Sequence, residues 1–173
     1  MKKINNLLLL CLLSLGWQLS AQISTFPYSE DFESGNGGYV SSGTNNSWGF
    51  GLPASGIING ACQGNSAWVT NLSGDYNNNE NSQLESPSFD FSGMITDPIL
   101  RFDHNYETES CCDEGWVEIS LDGGTTWNKL GTSASGSNWY NDSGNDWWDG
   151  NSAGWRVASH LLTGAAGNNN VKF

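Results

Sequence analysis

The chain has 173 residues with 18 acids against six Lys and Arg, and 12% aromatics that include nine tryptophans. If the first 21 residues are a removable leader, the remaining 152 make one ordinary domain. That domain keeps all 18 acids but only Arg101, Lys129, Arg156 and Lys172 as bases, a net charge of −14 that excludes nucleic acid and anionic membrane surfaces as natural partners. The aromatic content excludes a solvating disordered chain.

Residues 1–21 read as a secretory signal. Lys2 and Lys3 precede an apolar run of 11 residues, Leu7 to Trp17, too short to span a bilayer. Leu19-Ser20-Ala21 ends on a small residue, so cleavage before Gln22 is expected; an N-terminal anchor helix is the alternative. No small residues precede Cys11, so it is not read as a lipidation site. Cys62, Cys111 and Cys112 remain after cleavage. Export permits a disulfide, and the expected pairing joins Cys62 to one of the two neighbours, leaving the other free. No C-x-x-C occurs, and His104 and His160 lie far from the cysteines in sequence, so a zinc site is not expected.

From residue 22 onward, short runs of aromatic and β-branched residues alternate with Gly/Asn/Ser clusters, which predicts an all-β sandwich or barrel. Predicted strands cover Tyr28–Glu33, Ser66–Leu72, Gln83–Phe91, Ile99–Thr108, Trp116–Leu121, Trp127–Leu130 and Gly154–Leu162. In Ile99–Thr108, Leu100, Phe102, His104 and Tyr106 share one face and Arg101, Asp103, Asn105 and Glu107 the other. His104 is therefore expected in the core. Val117, Ile119 and Leu121 are expected to point inward, opposite Glu118 and Ser120. Long polar loops at 74–82 and 131–154 separate these runs; the second carries Trp139, Tyr140, Trp147 and Trp148. The closing Asn168-Asn169-Asn170-Val171-Lys172-Phe173 reads as the start of a strand, so the chain is expected to be cut before its last strand, with further domains downstream; a short natural tail is the alternative.

Ser120-Leu121-Asp122-Gly123-Gly124-Thr125-Thr126-Trp127 fits S-x-D-x-G-x-x-W, the Asp box. Its physics is that of a tight turn. The Asp122 carboxylate folds onto nearby backbone N–H groups, glycines supply positive φ, and Trp127 returns onto the turn. The motif occurs in sialidases and in many non-enzymes, so Ser120, Asp122, Gly124 and Trp127 are expected to be structural.

Three segments, in this order, resemble the jelly-roll modules of the MAM-like and reelin-repeat-like type found in large secreted bacterial adhesin-like proteins. They are Tyr28-Ser29-Glu30-Asp31-Phe32-Glu33-Ser34-Gly35, then Ala67 to Leu72 followed by Leu84 to Ser92, and then Leu100 to Glu107 followed by Gly115 to Ser120. The resemblance implies an antiparallel β-sandwich over 22–173. The family's usual closing strand with paired acids has no counterpart here. The resemblance also supports a structural calcium. Asp31 and Glu33 share one strand face and Asp103 and Glu107 another, and the four would converge if those strands are neighbours. Asp75, Asn77 and Asn79 imitate an EF-hand start, but Glu80 and Ser86 occupy positions that require Gly and Glu.

Trp139, Trp147 and Trp148 in a polar loop offer rings for stacking on sugars; the alternative is that the loop tucks them over the sandwich. Glu114 and Glu118 carry no glycosidase signature, and neither G-x-S-x-G nor H-E-x-x-H occurs. The expected function is a secreted or cell-surface, non-catalytic binding or adhesion module. Its partner would be a glycan or an extracellular protein surface, with calcium as the sole expected cofactor and no transmembrane segment. The alternatives are an accessory domain of an exported hydrolase, peptidase or glycosidase, and a structural spacer.

Overall fold

The computed structural model describes residues 22–173, so the expected leader lies outside the described residues. Eight strands form: β1 (Val40–Thr44), β2 (Trp48–Gly51), β3 (Ala67–Thr70), β4 (Asn81–Glu85), β5 (Ile99–His104), β6 (Glu118–Ile119), β7 (Asn128–Lys129) and β8 (Arg156–Leu161). They pair antiparallel as β1–β4, β2–β3, β5–β8 and β6–β7, and the described residues contain no helix. The class is all-β, built from four small two-stranded sheets, with isolated bridges among the connecting segments.

The alternation in Ile99–His104 gives the longest pairing. Leu100, Phe102 and His104 stand opposite His160, Ala158 and Arg156. Directly opposed residues share a face, so these six side chains line one side of the β5–β8 pair. Ala158 and His160 on that side are buried. Ile99 and Leu161, also paired, lie on the solvent side.

The loop between β7 and β8 closes over the inner face. Trp139 is 1% exposed and Trp148 is 7% exposed. Their rings meet near-perpendicularly at 5.2 Å, Tyr140 meets Trp148 at 4.7 Å, and Phe102 meets both indoles edge-on. Such pairs contribute about 0.5–1.5 kcal/mol each beyond area burial. Burying one ring of this size removes roughly 150–250 Å² from water, worth about 4–6 kcal/mol before entropy losses. The polar atoms are satisfied as well. Trp139 Nε1 and the Tyr140 hydroxyl donate to the Leu130 carbonyl at 2.9 Å, and Trp148 Nε1 donates to the Asn138 carbonyl.

Several expectations need correction. Tyr28–Glu33 is irregular and bends at Phe32, which takes φ 63°. Glu30 and Asp31 accept the Phe32 and Glu33 amides at 2.8 and 3.0 Å, and these local bonds compete with a ladder. β1 and β2 were not predicted, because VSSGT and WGFG are rich in Gly and Ser. They become strands through pairing with β4 and β3. Gly43, at φ 119°, lets β1 approach β4; a Cβ there would collide with the Asn81 carbonyl. The Gln83–Phe91 run ends as a strand at Glu85, before Pro87, which cannot donate to a ladder. Ser120, expected outward, is fully buried, while Leu121, expected inward, is 39% exposed. The Asp box breaks the alternation there. Trp116, whose place within a predicted strand favours core packing, is 43% exposed.

The last residues complete the core. Val171 exchanges backbone bonds with Phe89 at 2.8 and 2.9 Å, and Lys172 does so with Ser120 at 2.9 Å. Lys172 Nζ also pairs with Glu85 at 2.6 Å.

Trp139→Ala should lower unfolding stability by about 3–5 kcal/mol in denaturant melts, whereas Trp116→Ala should cost under about 1 kcal/mol. Equal costs would contradict this division of the tryptophans.

Candidate functional site

The expected glycan platform does not assemble. Trp139 and Trp148 are core residues, and Trp147 is half-buried beside Lys129, whose ammonium lies 5.4 Å from the Trp147 ring, 5.1 Å from the Trp116 ring and 5.9 Å from the Tyr140 ring. The reason is energetic: indole area is worth more against β5–β8 than held in water.

The expected calcium ligands are also separated. Among the described residues, no three of Asp31, Glu33, Asp103 and Glu107 bring ligand oxygens within 4.8 Å of one another. Asp31 caps the Glu33 amide at 3.0 Å. Glu33 accepts the Asn65 and Ser66 amides, both at 2.8 Å, and these backbone donors lower its pKa. Glu107 accepts from Asn151 at 2.6 Å. Asp103 faces Cys62, whose thiol pKa is raised by desolvation and by that carboxylate. Each acid is thus taken up by its own neighbourhood.

The cysteine pairing is corrected too. Cys111 and Cys112 are bonded to each other, and Cys62 is free and exposed. The turn at Glu109–Asp113, closed by the Cys112 and Asp113 amides on the Glu109 carbonyl at 3.2 Å, lets neighbouring side chains meet. Glu109 and the two sulfurs form the one metal-like cluster among the described residues, but sulfurs joined to each other lack the thiolate that binds a metal.

At the Asp box, Asp122 Oδ1 accepts the Thr125 and Thr126 amides at 3.1 and 2.8 Å and the Ser120 hydroxyl at 2.8 Å, while Oδ2 accepts the Thr126 hydroxyl at 2.7 Å. The Thr126 amide leads the donors that hold the Asp122 carboxyl down to about 2. Gly123 and Gly124 take φ 76° and 96°, and Trp127 Nε1 returns to the Gly124 carbonyl at 3.1 Å. All of these bonds serve the turn.

What remains is a cleft of about 270 Å³ at the open end of β5–β8. His104, Tyr106 and Arg156 come from the strand ends; Asn138, Tyr140, Asn141, Trp148, Asn151 and Ser152 come from the loop. Tyr106 is fixed by mutual bonds with Ser152, whose hydroxyl accepts the Tyr106 amide at 3.0 Å. His104 Nε2 is buried without a hydrogen-bond partner. Burial, then the Arg156 charge, pushes the His104 pKa down to about 4, so the ring is neutral near pH 7. The sequence pattern put His104 and Tyr106 on the inner face, but Arg156 was missed. Its place opposite His104 comes from a pairing between residues 52 apart, which no local alternation reveals.

No family model and no solved structure matches the chain. A curated relative, bacillopeptidase F of Bacillus subtilis (strain 168), is 35% identical over 127 residues. The match covers 72% of this chain, which spans only 8% of that protein.

Two outcomes follow. Among the cysteines of residues 22–173, alkylation before reduction should label Cys62 alone, and more slowly than an unperturbed thiol; label on Cys111 or Cys112 would contradict their bond. Asp122 has a folded pKa below its unfolded value, so its contribution is complete above about pH 4 and fades as pH falls toward 2. The melting-temperature gap between wild type and Asp122→Asn should therefore shrink from pH 6 to pH 2, and a constant gap would rule out this role.

Proposed function

We propose that this chain is a non-catalytic accessory β-module of a larger extracellular peptidase. The observation that carries this reading is the match to bacillopeptidase F, which takes in most of this chain and a module-sized 8% of the relative. A match of that size relates one building block, so the peptidase activity named for the relative is assigned to other parts of such a protein. The leader-like Lys2, Lys3 and Leu7–Trp17 support export, and the Cys111–Cys112 bond suits an oxidising compartment. Among the described residues no helix is long and apolar enough to cross a membrane.

The acids support a supporting role over a catalytic one. Asp122, Glu33, Asp97 and Asp142 each accept backbone amides, which stabilises the ionised form and suits turns better than proton transfer. In this reading the module is the jelly roll its motifs resemble. The glycan-adhesion reading loses its stacking platform with the burial of Trp139 and Trp148.

Antibodies against residues 22–173 test the proposal in the source organism. The antigen should appear in the medium, on a species larger than 18.7 kDa that co-migrates with casein-clearing activity in a zymogram. The purified chain alone should clear no casein. An intracellular antigen, or casein hydrolysis by the isolated chain, would contradict the proposal.

A further inference from the structure

The cleft at the end of β5–β8 contains an unmatched cation. Arg156 stands opposite His104, so its side chain starts on the inner face of the sheet. Its Nε donates to the Ser152 carbonyl, which fixes the guanidinium. The one ion pair among the described residues is Lys172–Glu85, so no carboxylate lies within 4 Å of Arg156. Three of the domain's four bases lack a carboxylate partner among the described residues; of these, the solvent-exposed Arg156 is the one that lines the cleft. Its terminal nitrogens have no hydrogen-bond partner among the described residues, and neither do the Tyr106 hydroxyl and His104 Nε2. These groups line the same space. Asp149, which faces Tyr106 electrostatically, is bound through its amide and carboxylate to Asn141.

The free groups define the ligand. A guanidinium with two open nitrogens matches a carboxylate bidentately, and the Tyr106 hydroxyl adds a donor to the same anion. A sugar would need several more partners for its hydroxyls. The amides that would supply them are spent: Asn141 holds Asp149 through both side-chain atoms, and Asn151 holds Glu107 and the Ala153 amide. Asn138 donates to the Val157 carbonyl at 2.8 Å, leaving its side-chain oxygen open to one N–H. Tyr106, Tyr140 and Trp148 supply an aromatic wall. At about 270 Å³ the space falls below the ~300–1,000 Å³ of pockets for drug-sized ligands, so it takes one terminal residue and not a length of chain.

We propose that this cleft binds the C-terminal residue of a peptide. Arg156 and Tyr106 hold the carboxylate, Asn138 accepts the last amide N–H, and the aromatic wall takes an apolar side chain. This deepens the peptidase-module reading, on which the choice of a peptide among carboxylates rests, since cleavage by a peptidase generates such ends.

The test is titration of the full chain with N-acetyl-phenylalanine, followed by the indole and backbone signals of Trp148 and Arg156 in 1H–15N spectra. N-acetyl-phenylalaninamide, which lacks the charge, should bind roughly tenfold more weakly or worse. Arg156→Gln should abolish the preference for the acid over the amide. Tyr106→Phe, which removes only a hydroxyl, should narrow it without changing the melting temperature, and so keeps the test valid if the arginine variant misfolds. Equal binding of acid and amide overturns the proposal, as does tighter binding of glucuronate than of N-acetyl-phenylalanine. Either result leaves the accessory role standing, because that role is tested separately by the zymogram.

Discussion

The fold depends on one act of burial: the loop between β7 and β8 turns back and lays Trp139, Tyr140 and Trp148 against Phe102, Ala158 and His160. The four sheets have two strands each, and an isolated two-stranded ribbon is at best marginal in water. Something outside the ladders must join them. The aromatic cluster joins two of them, contacting β5 and β8 through Phe102 and His160 and binding the edge of β7 through the Leu130 carbonyl. Phe89, Phe91 and Val171 extend the same core toward the C-terminal segment.

That arrangement explains why acids and amides crowd the surface without forming a metal site. A loop-rich chain must find partners for many backbone N–H groups that no ladder satisfies. Asp and Glu side chains supply them here. Asp97 accepts the Gly164 and Ala166 amides at 2.9 Å, Glu80 accepts those of Ser47 and Asn77, and Asp122 closes the Asp box. These backbone donors lower the carboxyl pKa values of Asp97 and Asp122. The high acid count therefore serves turn geometry first. Arg156 follows the opposite logic, as a cation fixed by a carbonyl and left without an anion of its own.

Local chemistry was legible in the sequence; non-local pairing was not. The alternation from Ile99 to His104 identified β5 and its inner face, and S-x-D-x-G-x-x-W located the turn at Asp122. Both signals depend on neighbours within a few residues. The first two strands carry Ser and Gly where β-formers are expected, and they pair only because β4 and β3 reach them across the chain. The tryptophans were visible, but polar neighbours do not reveal whether a ring faces water or the core. Trp116 is exposed where its strand position favours the core, and Trp139 and Trp148 take the tucked alternative over the sugar-stacking one. The expected Cys62 pairing does not form, because the Glu109 turn brings Cys111 and Cys112 together. Arg156 entered the cleft only through its register with His104.

Hydrogen exchange at the indole Nε1 positions tests the central claim most directly. If the loop forms the core, the Trp139 and Trp148 indole protons, bonded to the Leu130 and Asn138 carbonyls, should exchange only through opening nearly as costly as global unfolding. They should match the slowest backbone amides of β5 and β8. Exchange as fast as that of the solvent-facing Trp116 indole would mean that the loop lies open, and this account of the fold would be wrong.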